Sequence, residues 1–188
     1  MKPNWFLALP VPAGSWFHER VAAQPPPSVR LFHPEDLHLT VAFLGLVEES
    51  AARKAWELTS LWRQGPVRVS LGEVVGMGPP AQYSALSALL ERGREEVEAG
   101  MRACRDPMLA AASSRPEMHP IKAHVTLGRP RRSANHDERG AALSWALHLP
   151  LRDVELTLSE IALYTWPEDR RDRQFMTVER KLLTAASR

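Results

Sequence analysis

The stretch His38-Leu39-Thr40-Val41-Ala42-Phe43-Leu44-Gly45 returns later in the chain as His124-Val125-Thr126-Leu127-Gly128-Arg129. Alternating Val, Phe, Leu and Thr, opened by the turn-forming Pro34-Glu35-Asp36 and closed by Gly45, predicts a strand; Ile121 to Leu127 predicts another. Side chains of a strand alternate between its faces, which puts His38 and Thr40 together and sends Leu39, Val41 and Phe43 behind. By the same alternation Lys122, His124 and Thr126 share a face, backed by Ala123, Val125 and Leu127. One such strand is ordinarily structural. Two copies of the same costly polar pair in matched settings point to one shared site.

Two histidines with two hydroxyls suit phosphate-ester chemistry. Imidazole titrates near neutral pH, so one ring serves as base while the other, protonated, serves as acid. Threonine hydroxyls donate to non-bridging phosphate oxygens, where charge grows in the transition state. The set can open a cyclic phosphodiester without a metal. Zinc would need three or four ligands, some at spacings such as H-x-x-x-H or C-x-x-C, and the chain has one cysteine and no such spacing. No metal and no cofactor are expected.

With these motifs the chain resembles the two-histidine phosphoesterases, specifically the bacterial and archaeal RNA 2′,3′-cyclic phosphodiesterases, also called 2′-5′ RNA ligases. The likeness runs nearly end to end. Asn4 to Pro12 resembles the opening strand of that family, Pro34 to Gly45 its first motif, and His124 to Arg129 its second. Ile161 to Tyr164 and Phe175 to Leu182 resemble its closing pair. The resemblance implies an α+β fold of two lobes, each an antiparallel sheet flanked by helices, duplicated around a central cleft, as a single domain over residues 1–188. It implies hydrolysis of RNA 2′,3′-cyclic phosphate ends to 2′-phosphomonoesters, with RNA ends or small cyclic nucleotides as substrates. It makes His124 the base and His38 the acid, with Thr40 and Thr126 on the phosphate and Arg129 and Lys122 as further substrate contacts. Strict alternation aims Arg129 away from His124, so a bend must reorient it. Two departures stand out: Ala123 replaces the usual proline before the second histidine, and Gly78 to Tyr83 lacks the common basic, aromatic strand start. A ligase joining ends through a 2′-5′ bond and a non-catalytic RNA-binding module are the alternatives.

The 188 residues, 44% apolar and 24% charged, suffice for one globular core. Net charge is only +2, yet the 24 basic residues are mostly arginine, whose planar fork suits phosphate. Arg129-Pro130-Arg131-Arg132 and Arg170-Arg171-Asp172-Arg173 are the local concentrations; the second reads more readily as a solvated loop. Single Cys104 allows no internal disulfide and fits a reducing compartment. Met1-Lys2-Pro3 followed by Trp5 to Val11 imitates a signal peptide, but its apolar run is short and broken by prolines. No run reaches a membrane span of roughly 20 residues. A cytoplasmic monomer is expected.

Periodicity predicts helices over Ala13 to Gln24, Glu48 to Arg63, Glu91 to Cys104 and Asp137 to Leu147. Further strands are expected over Val29 to Phe32, Val67 to Val75 and Tyr83 to Leu89, with a terminal hairpin of Leu156 to Tyr164 and Phe175 to Leu182. Trp5, Phe6 and Trp166 are candidates for base stacking, although core packing is the more ordinary role for each. His33 and His119 read as loop residues.

Overall fold

The first motif becomes strand β3 and the second β6, in a computed structural model that describes residues 3–79 and 82–185. The start Met1-Lys2 and Pro80-Ala81, within the segment Gly78 to Tyr83, lie outside the described residues. In chain order the elements are β1 (Asn4–Pro10), α1 (Gly14–Trp16, widening into a π turn over Phe17–Val21), β2 (Val29–Leu31), β3 (His38–Leu46) and α2 (Glu49–Glu57, closed by a 3-10 turn over Leu58–Leu61). There follow β4 (Val67–Met77), β5 (Ala85–Leu90), α3 (Arg94–Ala111), β6 (His124–Pro130), α4 (His136–Leu147), β7 (Glu155–Leu158), β8 (Glu160–Thr165) and β9 (Met176–Leu182).

Two antiparallel sheets result, with strand orders β3-β1-β8-β9 and β2-β6-β5-β4-β7. The lobes exchange strands: β8 and β9 return from the end of the chain to the first motif, while β2 crosses early to the edge of β6. This is the expected α+β fold of two antiparallel sheets flanked by helices. β3 and β6 pack against each other where the sheets meet. Strands buried on both faces, such as Trp5 to Leu9 and Ile161 to Thr165, form the floor of the core.

Helices cover the outer faces. Helix α3 lies on α2 and β3, and α4 on β4. The inner line of α3 is Val97, Gly100, Met101, Cys104 and Met108, all buried. Gly100 is there for space: a Cβ would come within 2.5–2.7 Å of the Trp62 ring. Ala52, Ala55, Thr59 and Trp62 face inward as the helical spacing predicts, while Trp56 is only partly buried.

The structure corrects four expectations. Helix α3 does not stop at Cys104; it runs through Pro107 to Ala111, because buried Met108, Leu109 and Ala112 continue its apolar line. β6 starts at His124 rather than Ile121, so Lys122 and Ala123 belong to the preceding loop. Leu156 to Tyr164 is two strands, since the chain passes from one sheet to the other at Ser159. Phe43 does not lie behind β3, for a reason that belongs to the site.

Candidate active site

Each motif histidine is the first residue of its strand, and each ring is pinned by the same short loop. Nδ1 of His38 lies 2.6 Å from the carbonyl oxygen of Asp36, and Nδ1 of His124 lies 2.7 Å from that of Lys122. A carbonyl only accepts, so Nδ1 carries the hydrogen in both rings. Nε2 is left free to take or give a proton. Ala123, one residue before His124, donates its N–H to Glu98 of α3 at 3.1 Å.

Both strands then bulge at the same place. Against β1, Thr40 pairs with Ala8 and Ala42 with Leu7, so Val41 is extra; against β5, Thr126 pairs with Ser87 and Gly128 with Leu86, so Leu127 is extra. One inserted residue reverses the alternation beyond it. Phe43 and Arg129, three positions past the threonines, therefore return to the face of His38-Thr40 and His124-Thr126. All six line one cleft of about 820 Å³. This bend brings Arg129 in, and it turns Phe43 out of the core, half exposed at 50%.

The surroundings of the two rings differ. His38 is enclosed by Phe6, Phe175, Tyr164 and Phe32, with ring centroids 4.9, 5.0, 5.8 and 6.5 Å away. Loss of water in this aromatic cage pushes its imidazole down to about 4, only partly opposed by the Asp36 carbonyl and carboxylate. His124 is also lowered, by desolvation first and by the Lys122 charge, against its backbone hydrogen bond. Thr126 has a hydroxyl partner in Ser87, 3.1 Å away on β5. Ser87 is fully buried; either hydroxyl can donate in this pair, and when Ser87 donates, the Thr126 hydrogen is left for a phosphate oxygen.

The loop between β8 and β9 closes one wall and is latched to the first motif. Buried Asp36 accepts from Arg173 Nε at 2.8 Å and from the Gln174 backbone N–H at 2.7 Å. Arg173 also pairs with the Glu35 carboxylate. The latch seats Trp166, Arg170, Gln174 and Phe175 in the cleft wall. The run Arg170 to Arg173 thus divides its labour: Arg170 faces the cleft, Arg171 pairs with Asp169, and Arg173 holds the loop.

The structure brings His38, Thr40, His124, Thr126 and Arg129 together and leaves Lys122 out. Lys122 is exposed on the approach loop and is not part of the cleft lining; its carbonyl, rather than its ammonium, is what meets His124. His33 and His119 stand outside the cleft. Phe6 and Trp166 do line it, Phe6 as a buried wall under His38. Among the described residues no three His, Cys, Asp or Glu side chains gather at metal-binding spacing.

No protein-family model matches the sequence, and no curated protein matches it at a significant level. Solved structures do. LigT from E. coli in complex with 3′-AMP superposes with a TM-score of 0.73 at 18% identity, over 98% of this chain and 99% of that one. A protein described as a phosphoesterase gives 0.73 at 22% identity over the same shares. TT0787 of Thermus thermophilus gives 0.68 at 20%, over 98% and 100%. The chain has the LigT fold. That likeness runs over nearly the whole chain, and so over both sheets.

Sequence alternation alone missed Phe43, Ser87 and Arg30, and Arg170, read more readily as part of a solvated loop, lines the cleft. The first was legible in principle, because Phe43 and Arg129 stand at the same offset from their histidines. Ser87 has no such mark; it is one small polar residue in an apolar strand.

Proposed function

We propose that the chain hydrolyses RNA 2′,3′-cyclic phosphate ends to 2′-phosphomonoesters by metal-independent acid–base catalysis. One observation carries this reading: two bulged strands present identical His-x-Thr pairs, with Nδ1 pinned and Nε2 free, to one arginine-lined cleft. The LigT fold agrees with it, and E. coli LigT has been crystallised with 3′-AMP, ATP, NADP+ and phosphate.

In this mechanism the cyclic phosphate lies between the strands, with Thr40 and Thr126 donating to its non-bridging oxygens. His124 Nε2 takes a proton from water, which attacks phosphorus in line with the departing 3′ oxygen. His38 Nε2–H gives its proton to that oxygen. Charge grows on the non-bridging oxygens, where Arg129 adds a positive field. Both histidines are neutral at pH 7 in the free site. His38 therefore takes up a proton from solvent as the anionic substrate binds, because the substrate's charge favours the imidazolium. An imidazole held low by its cage is, once protonated, a ready donor. Phe43, with an exposed ring at the rim, is positioned to contact the base.

The test is incubation of an oligonucleotide bearing a 2′,3′-cyclic phosphate in excess EDTA, with phosphorus NMR of the products. A 2′-phosphomonoester is expected. A 2′-5′-joined product as the main species would favour the ligase reading, and no product from folded protein would refute the proposal.

A further inference from the structure

The cleft is larger than one phosphate needs, and its second charged region lies beyond the His-Thr pairs. Arg30 of β2 pairs in register with Arg129 of β6, and directly opposed residues of an antiparallel pair project from the same face. Gly128 permits this closeness, since a Cβ there would sit 2.9 Å from the Arg30 carbonyl oxygen. Arg170 comes from the latched β8–β9 loop. Its guanidinium stacks 3.9 Å from the Trp166 ring centre, and its carbonyl accepts from Arg30 Nη2 at 3.5 Å.

Among the described residues none of these three cations has a carboxylate in contact; Asp36, already bonded to Arg173 and Gln174, acts on Arg170 only from a distance. Among the described residues ten arginines form salt bridges, at positions 20, 53, 92, 94, 102, 105, 152, 171, 173 and 180, and none of the ten lines the cleft. Arg30, Arg129 and Arg170 all line it and form none. Arg129 and Arg170 are held below the usual guanidinium range, first by desolvation and then by the neighbouring arginine charges. Clustered like charges oppose folding; an anion seated among them removes that cost.

We infer that Arg30 and Arg170, with Arg129 standing between them and the reacting phosphate, form a second anion subsite, which takes the phosphate on the 5′ side of the nucleotide whose cyclic end reacts. The inference rests on the function proposed above, which puts the reacting phosphate at the histidines. A guanidinium cluster with no carboxylate bonded to it fits a phosphate fork for fork. A 5′-linked phosphate is either a free monoester or the phosphodiester of a preceding nucleotide. Arg131 and Arg132 continue the same rim of the cleft and favour the chain.

The experiment is calorimetric titration of the full chain with 3′-AMP, adenosine 3′,5′-bisphosphate and the dinucleotide ApA carrying a 3′-phosphate. None has a cyclic phosphate, so the result stands apart from turnover. The bisphosphate is expected to bind about tenfold tighter than 3′-AMP, a ratio that shrinks with added salt. It should fall toward one in Arg170→Gln and in Arg30→Gln. Equal dissociation constants in the wild type, or a ratio that survives both substitutions, overturns the inference. A gain for the dinucleotide equal to that for the bisphosphate supports the subsite with a chain in it; a gain for the bisphosphate alone supports it with a monoester. Failure to hydrolyse a cyclic phosphate, with the ratio intact, would refute the catalytic proposal instead.

Discussion

At the residue scale the two histidines begin alike and end in different surroundings. The same i−2 carbonyl fixes both tautomers, but four rings enclose His38 while, among the described residues, no ring contact involves His124. Both imidazoles fall below the ordinary 6.5, His38 to about 4. The limbs of a kcat/KM profile report the free enzyme, so its maximum should lie on the acid side of pH 6.5. Bound anion favours protonated rings, so the kcat profile should lie at higher pH than the kcat/KM profile. A kcat/KM maximum above pH 7 would contradict the caged His38. The sign for stability follows from the same shift. A histidine depressed in the folded state binds protons more readily when unfolded, so its contribution is present above 6.5 and is lost as pH falls toward 4.

At the scale of elements, the bulges decide what alternation could and could not show. A period of two located β3 and β6 and their histidines, yet it assigned Phe43 to the wrong face, because an inserted residue leaves no mark in composition. Lys122 was misplaced for a related reason: its carbonyl turns to its own second neighbour's ring and so leaves the regular strand pattern. The break at Ser159 was illegible because both sheets ask for the same apolar alternation. Arg30 and Arg170 reach the cleft only through strand exchange and the Asp36 latch, which are long-range facts. That latch gives a prediction. Asp36→Ala strips the buried one of the two carboxylate partners of Arg173 and the acceptor from Gln174 N–H, and should cost about 2–3 kcal/mol in denaturant unfolding, with a raised KM as the loop loosens. Unchanged stability would show that the loop is held otherwise. A pair of glycines tests helix packing. Gly140→Ala, with nothing within 4 Å, should stabilise by up to about 1 kcal/mol. Gly100→Ala drives a methyl into the Trp62 ring and should cost about 1–2 kcal/mol net of its helical gain. Equal effects in thermal melts would refute the close α3–Trp62 contact.

Across the whole molecule, a net charge of +2 hides a division of labour. Arginines on the outer surface are widely paired with carboxylates, while those of the cleft face an open space lined with aromatic rings, threonines and two neutral histidines. The duplication supplies two matching strands, and the return of β8 and β9 to the first sheet gives them different settings: Tyr164 and Phe175 help cage His38, and His124 has no such cage among the described residues. Catalysis in this account is a property of the pair. The most direct test is a double-mutant cycle on kcat/KM for a 2′,3′-cyclic phosphate, with wild type, His38→Ala, His124→Ala and the double variant, all checked for folding. Each single substitution is predicted to cost about a thousandfold, with the double variant scarcely worse than either single one. Wild-type turnover in either single variant, or losses that simply multiply, would contradict a shared acid–base site.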